Sequence, residues 1–184
     1  MLTHGEISGI IVTLCGGNKP YHFTLKAKDE RDVNCYFNQE IEDKVSSLYK
    51  KWVIVGGSIS QSQKKSKIET IDYLEMLTSE ELPSIGRYNL LQPITFNVSY
   101  DNSDSLWCLE NWELALRGYG RSYNDAIECL EENIEGHVLS FTRHPDSKQS
   151  ADSLSVKAKL KEYIDFNQVL DYLHERDGDT DTCL

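Results

Sequence analysis

The sequence predicts two folded regions: an all-β barrel with one helix, then an α+β region with a helical tail. Five strand-like apolar stretches and one helical stretch occupy residues 1–78. Residues 93–145 have the pattern of three short strands followed by one long amphipathic helix. Residues 79–92 contain Pro83, Ser84 and Gly86 and show no strong periodicity, so we predict a linker there.

The first region has the predicted order β-β-β-α-β-β, with the helix over residues 39–50. The predicted strands are residues 5–14, 21–26, 33–37, 52–59 and 68–74. This order, the first strand interrupted by Gly9, and the Val53-Ile54-Val55-Gly56 run resemble the OB-fold family over residues 5–77. We therefore expect an OB-like barrel, with a generic small β-barrel as the alternative.

The OB-fold resemblance implies a site for single-stranded nucleic acid on the outer face of strands two and three. Alternation places the apolar residues of these strands inside the barrel: Phe23, Leu25, Val33, Cys35 and Phe37. The candidate site then consists of one ring that could stack on a base and four lysines that could contact phosphates: Lys26, Tyr36, Lys64, Lys65 and Lys67. The alternative is a purely structural barrel that has a solvated lysine loop.

The α+β region begins with Ile94, Phe96 and Val98, which alternate with polar residues as in a half-buried strand. A second strand is predicted over residues 106–112 and a brief third strand around residues 114–116. Residues 118–122 are predicted to form the turn between the sheet and a long helix. Ser122 is the predicted N-cap of this helix, and Pro145 marks its end. One apolar stripe follows at helical spacing: Tyr123, Ile127, Leu130, Ile134, Val138 and Phe141.

Three features of this region resemble the HicB-like antitoxin family. They are the strand Trp107-Cys108-Leu109-Glu110-Asn111, the Gly118-Tyr119-Gly120 turn, and the helix start Ser122-Tyr123-Asn124-Asp125-Ala126-Ile127. The resemblance implies a truncated ribonuclease-H-like β-β-β-α module over residues 93–145. It also implies a catalytically inactive protein, often dimeric through its sheet, that neutralises a small ribonuclease toxin.

The charge is unevenly distributed along the chain, whose net charge is -11. Residues 1–92 have 11 basic and 12 acidic residues, whereas residues 93–184 have 8 basic and 18 acidic ones. The second half is therefore a poor nucleic-acid binder and suits a basic protein partner, although solubility alone also explains the charge. The candidate partner-binding residues lie on the long helix and the tail: Glu128, Glu131, Glu132, Glu135, Tyr163 and Leu170.

Beyond the long helix, residues 146–176 are predicted to form two further helices. Their apolar stripes suit either packing on the α+β region or folding onto a partner. Residues 177–184 are predicted to be a disordered tail.

The sequence contains no recognisable catalytic or cofactor motif, so we predict a protein that is not an enzyme and needs no cofactor or metal. Four carboxylates are candidates for metal-dependent phosphodiester cleavage, Asp101, Glu110, Glu113 and Asp125, but a turn, a strand face and a helix cap explain them better. The five cysteines have no Cys-x-x-Cys spacing, which favours reduced thiols. Without a membrane-length apolar run or a signal-peptide pattern, we expect a cytoplasmic protein.

Overall fold

The computed structural model describes residues 2–16, 20–29, 31–62, 65–101 and 103–178. The chain divides into two compact units. The barrel unit comprises Met1–Thr78, Val98–Trp107 and Arg121–Asn124. The sheet–helix unit comprises Ser79–Asn97, Cys108–Gly120 and Asp125–Leu184.

Five strands of the barrel unit close on themselves in the order β1-β2-β3-β5-β4. Their bounds are β1 Leu2–Cys15, β2 His22–Ala27, β3 Asp32–Tyr36, β4 Trp52–Ser62 and β5 Lys65–Met76. Only β3 and β5 run parallel, and they pair briefly at Asn34↔Lys67 and Cys35↔Ile68. All other neighbours are antiparallel. The structure is thus a closed mixed barrel, and its element order is the predicted β-β-β-α-β-β.

The barrel core consists of alternate residues of the five strands, as period-two patterning requires. On β2 and β3, the predicted inward residues Phe23, Leu25, Val33 and Cys35 are fully buried, and Phe37 packs against them. The helix after β3 is shorter than predicted: a 3-10 turn at Gln39–Ile41 leads into α1, Glu42–Ser47. Lys50, at φ 59°, lies in the left-handed region in the turn between α1 and β4.

Trp107 lies in the barrel unit and is one of its largest fully buried side chains. Its indole meets three rings of the same unit nearly edge-on: Trp52 at 6.5 Å, Tyr100 at 5.8 Å and Tyr123 at 5.4 Å between centroids. Such edge-to-face pairs add to the free energy gained by burying the rings. Trp107 is therefore a core residue.

The second sheet has four strands in the order β6-β7-β8-β9. Their bounds are β6 Ser79–Ile85, β7 Tyr88–Asp101, β8 Leu106–Asn111 and β9 Leu116–Gly120. Residues 79–92, predicted as a linker, therefore form β6 and the beginning of β7. Pro83 favoured the linker prediction, because proline is unusual inside a strand. However, β6 is an edge strand, and its register with β7 shifts between Leu82 and Ser84. Proline is tolerated at such edge and bulge positions because no ladder hydrogen bond from its nitrogen is needed.

The long helix α2, Tyr123–Arg143, forms as predicted and buries its apolar stripe except at Ile127, which is half-buried. The predicted turn at residues 118–122 is shorter, because Gly118 and Gly120 belong to β9. A Cβ atom at either glycine would overlap the backbone of Ala126 on α2. The Gly-x-Gly pattern is therefore a packing requirement that lets helix and strand approach closely.

Two further helices follow, α3 at Ala151–Tyr163 and α4 at Phe166–Gly178. Both pack within the sheet–helix unit, where the Phe166 ring stacks on Phe141 of α2 at 6.3 Å. Lys157 of α3 donates to the Phe141 carbonyl oxygen at 3.1 Å and to Asp146 at 2.5 Å. Buried apolar residues of α3, α4 and the turn between them complete the contact: Leu160, Ile164, Phe166, Val169 and Leu173. Residues 177 and 178 of the predicted tail belong to α4, and 179–184 lie outside the described residues.

Candidate functional site

The outer face of β2 and β3 has the residues that alternation predicts there. His22 pairs with Tyr36 across the two strands, and their ring centroids are 5.5 Å apart. Next to them, the Thr24 hydroxyl donates to the Asn34 side chain at 3.2 Å. Tyr36 is thus held between neighbours on a half-exposed strand face, which keeps its ring in a fixed orientation.

The lysines of this face have acidic neighbours. The Lys67 amine lies 5.9 Å from the Tyr36 ring centroid and 2.6 Å from a carboxylate oxygen of Glu69. The hydrogen bond with Glu69 raises the pKa of Lys67, so its amine stays protonated. Lys26 lies 3.9 Å from Asp32. Each lysine would have to break or share its ion pair with a carboxylate before it could contact a phosphate.

Two other candidate lysines provide less information. Lys64 lies outside the described residues. Lys65 begins β5 and pairs with Ser62, but its side chain is outside the described set. The structure therefore brings together Tyr36 and Lys67 from the predicted nucleic-acid site.

A groove of about 770 Å³ opens beside this face, at the point where β3 ends and β5 continues. The two parallel strands pair only as far as Cys35 and Ile68, so the chain after Tyr36 separates from β5. Its lining combines three aromatic rings with apolar and polar residues: Pro20, Tyr21, Tyr36, Phe37, Asn38, Gln39, Ile41, Glu69, Thr70 and Ile71. A groove of this size and composition suits a small flat ligand or one residue of a polymer.

The walls of the groove are held by local contacts. Tyr21 and Phe37 lie 5.8 Å apart between ring centroids, and the Phe37 amide donates to the Tyr21 carbonyl oxygen at 3.1 Å. Ile41 and Ile71 pack against the buried barrel core. The apolar part of the groove is therefore anchored to the barrel rather than to a free loop.

In the sheet–helix unit, one face of the sheet packs on α2 and the other is open. Buried residues of β9 alternate with the exposed Arg117 and Tyr119, and Thr95 and Asn97 of β7 are exposed on the same open face. The Asn111 side chain donates to the Thr95 carbonyl oxygen at 3.0 Å, which fixes the end of β8.

Aromatic and charged groups are concentrated at β8 and β9, and we call Glu110, Trp112, Arg117 and Tyr119 the β8–β9 surface. Trp112 is 59% exposed, and the Arg117 guanidinium lies 4.0 Å from its ring centroid. The Tyr119 hydroxyl donates to Glu110 at 2.5 Å, and this hydrogen bond, with some burial, raises the pKa of Tyr119 to about 12. Arg117 and Tyr119 lie on the edge strand β9, where the Arg117 amide donates to the Asn133 side chain of α2 at 3.1 Å.

The structure divides the four predicted acidic partner residues into two pairs. Glu128 and Glu132 are exposed on α2, as expected. Glu131 and Glu135 are buried instead. Glu131 pairs with Arg87, while Glu135 accepts from the Tyr88 hydroxyl at 2.9 Å and pairs with Arg176 at 2.8 Å. Local helical spacing could not reveal this, because the covering residues come from the β6–β7 connection, the start of β7 and α4.

The two tail candidates, Tyr163 and Leu170, are partly buried on helices that pack within the sheet–helix unit. Leu170 lies next to the fully buried Val169 on α4. The tail is therefore an integral part of the unit, and these residues offer a partner little free surface.

The carboxylates considered for metal-dependent cleavage have separate surroundings. Asp101 accepts from the Ser103 amide at 2.7 Å, Glu110 accepts from Tyr119, and Glu113 lies 3.9 Å from Lys159. Asp125 lies in the first turn of α2. Across the described ranges, no three His, Cys, Asp or Glu side chains form a group that could hold a metal ion. No helix of the described residues is long and apolar enough to span a membrane.

Sequence reasoning missed the groove and most of the β8–β9 surface. The groove depends on where β3 separates from β5, a long-range feature with no local signature. Alternation predicts Trp112 in a strand, whereas it lies in the β8–β9 turn, where the Asn111 side chain accepts from the Leu114 amide at 2.9 Å. An Asn followed by a turn is the signal that would have placed Trp112 there.

Comparison of the chain with protein-family models finds no match, and a search of curated proteins finds none either.

Proposed function

We propose that this protein is a non-catalytic, antitoxin-like protein of the cytoplasm that binds and neutralises a small basic ribonuclease, as in a type II toxin–antitoxin system. The HicB-like module would comprise β7, β8, β9 and α2. Inhibition would be steric: the partner is covered, and no reaction is catalysed.

The observation that carries this proposal is the composition of the β8–β9 surface. Trp, Tyr and Arg are the residues most enriched at the energetic centres of protein interfaces. Here Trp112, Arg117 and Tyr119 are neighbours on an edge strand and its turn, and Trp112 and Tyr119 are 59% and 41% exposed. A soluble domain that gains nothing from a partner has little reason to expose these side chains together.

Charge supports a basic partner. Residues 93–184 have ten more acidic than basic residues, and Glu110, Glu113, Glu128 and Glu132 remain outside the core. Glu131 and Glu135 form ion pairs with Arg87 and Arg176 inside the unit, so they leave the partner surface to the outer carboxylates. Complementary charge of this kind mainly accelerates association and excludes acidic partners.

The β-β-β-α order and the glycine contact of β9 with α2 support the HicB-like assignment. With it we propose a homodimer formed through the sheet. Sedimentation of the purified protein tests the oligomeric state separately from toxin binding.

The decisive experiment co-expresses the chain with the product of the neighbouring reading frame and measures complex formation and ribonuclease activity. A stable complex with suppressed activity is expected. Trp112→Ala or Tyr119→Ala should weaken binding by about 2 kcal/mol or more, as at interface centres. Leu91→Ala removes a 62% exposed apolar side chain elsewhere in the unit and is the matched control. A neighbouring product that is not basic, or does not bind, would refute the proposal.

A second candidate function is single-stranded nucleic-acid binding by an OB-like barrel. The specific observation in its favour is Tyr36, which lies between His22 and Lys67 at the edge of an aromatic groove. Stacking of bases on exposed rings next to a basic group is the usual mode of such binding.

Salt dependence tests the second candidate. Each phosphate contact to a single strand contributes about -0.7 to the slope of log affinity against log salt. Because Lys26 and Lys67 already have carboxylate neighbours, we expect a shallow slope, about -2 or less in magnitude. Lys64/Lys65/Lys67→Ala should weaken binding and flatten the slope, whereas Lys50→Ala, a lysine over the Tyr49 ring, should not. Absence of binding at low salt would rule this function out.

A further inference from the structure

The groove beside β3 differs in its chemistry from the outer face of β2 and β3. The outer face of β2 and β3 has one ring pair and the ion-paired Lys26, and the ion-paired Lys67 of β5 lies beside Tyr36. The groove instead is lined by Ile41 and Ile71, which pack against the barrel core, and by aromatic rings and amide side chains.

From this arrangement we propose that the groove is a pocket for a single nucleobase, taken either from an unstacked nucleotide of a single strand or from a free nucleoside. The inference rests on the second candidate function only for the first of these sources. It adds a ligand class and a site formed by the β3–α1 connection and the middle of β5.

The lining and the volume of the groove suit a base. A base has two flat apolar faces and a polar rim, so its pocket needs rings or aliphatic groups on its faces and donors or acceptors at its edge. Tyr21, Tyr36 and Phe37 supply the rings. The volume of about 770 Å³ lies within the range of small-molecule sites and leaves room for the attached sugar.

The polar edge comes from Asn38 and Gln39, both exposed at the start of the 3-10 turn. The Asn38 amide nitrogen donates to Glu40 at 3.3 Å, which leaves its carbonyl oxygen as an acceptor. Gln39 offers both a donor and an acceptor, and such a side chain forms a bidentate pair with adenine. Adenine is therefore the base with which to test the pocket first.

The charge at the groove agrees with a neutral ring. Glu69, the only carboxylate among the described residues of the lining, pairs with Lys67 at 2.6 Å. A cationic ligand would compete with Lys67 for Glu69. A neutral base leaves this pair intact, and its phosphate, if present, would lie nearer to the Lys67 amine.

The experiment uses the full-length protein and three probes: a fluorescein-labelled decamer of deoxyadenosine, an abasic decamer of equal length, and free adenosine. Anisotropy reports decamer binding, and backbone amide shifts of Tyr21, Phe37, Gln39 and Ile71 report adenosine. The abasic decamer should bind at least tenfold more weakly than the adenine decamer. Tyr36→Ala should weaken decamer binding by roughly tenfold, as for loss of one stacked base.

Two variants distinguish a loss of binding from a loss of folding. Gln39→Ala changes an exposed side chain outside the strands and should weaken adenosine binding about fivefold or more without altering the fold. Tyr49→Ala removes a 39% exposed tyrosine that also has a lysine over its ring, and it should bind like the wild type.

The outcomes separate the pocket from single-strand binding. Equal binding of both decamers without adenosine shifts would overturn the pocket and leave backbone-directed strand binding standing. Adenosine shifts at the groove without decamer binding would support the pocket for a free nucleoside and refute the single-strand function. No binding of any probe would refute both.

Discussion

The carbonyl oxygen of Ala126 on α2 occupies the space that a Cβ atom would need at Gly118 on β9. Strand and helix therefore approach to a distance that only glycine permits at this position. The same contact recurs two residues later at Gly120, against the Ala126 amide. This relationship explains a motif that by sequence alone predicts a turn.

Gly118→Ala should therefore destabilise the protein by about 1–3 kcal/mol, because the added methyl group meets backbone atoms that cannot rotate away. The matched control is Gly136→Ala on α2, where a Cβ atom would meet nothing within 4 Å. That change should stabilise the helix by about 0.5–1 kcal/mol. Urea denaturation measures both, and a Gly118→Ala variant as stable as the wild type would contradict the close approach.

Glu135 should be a structural carboxylate rather than a partner-binding one. Glu135→Ala removes the acceptor of the Tyr88 hydroxyl and the partner of Arg176, so we expect a loss of about 1–3 kcal/mol. Glu132→Ala, at an exposed position on the same helix, should change stability by less than about 0.5 kcal/mol. A double-mutant cycle of Tyr88→Phe with Glu135→Gln should give a coupling of about 0.5 kcal/mol or more. Equal effects of Glu132→Ala and Glu135→Ala would show that Glu135 is not buried.

Tyr119 should make stability depend on alkaline pH. Its pKa in the folded protein is about 12, mainly because its hydroxyl donates to Glu110, whereas tyrosine in an unfolded chain titrates near 10. Folding thus favours the protonated phenol. The contribution is fully present below about pH 10 and is lost as pH rises through 12.

Carbon-13 NMR of the tyrosine ring carbons follows this titration directly. Glu110→Gln should lower the pKa of Tyr119, since the carboxylate acceptor is replaced by a neutral amide. Glu113→Gln changes a nearby exposed glutamate and should leave Tyr119 as it is. If both variants titrate alike, the Tyr119–Glu110 hydrogen bond does not form in solution.

The two C-terminal helices should be needed for the stability of the sheet–helix unit. Leu160→Ala deletes a fully buried side chain of α3 and should cost about 2–5 kcal/mol. Leu91→Ala, at a 62% exposed position of β7, should cost less than about 0.5 kcal/mol. Hydrogen exchange should show protected amides in α3 and α4 without any partner. Rapid exchange there would instead mean that these helices fold only on binding.

The sequence predicted the elements that have local signals. Alternation located the barrel strands and the inward residues of β2 and β3, and the apolar stripe located α2. It missed β6, because Pro83 and Gly86 are typical of a linker. Only the sheet topology shows that β6 is an edge strand with a register shift, where proline is tolerated. It also could not foresee that Arg87 and Arg176 would cover Glu131 and Glu135, since those contacts join segments more than 40 residues apart.

The aromatic cluster at Trp107 has a practical consequence for dissecting the molecule. A polypeptide that stops at Gln92 would retain all five barrel strands. The Trp52 indole would nevertheless lose its edge-to-face neighbour Trp107, because Val98–Trp107 belongs to the barrel unit. Isolating the barrel by gene truncation therefore demands a circularly permuted or spliced design that brings Val98–Trp107 along, rather than a simple cut.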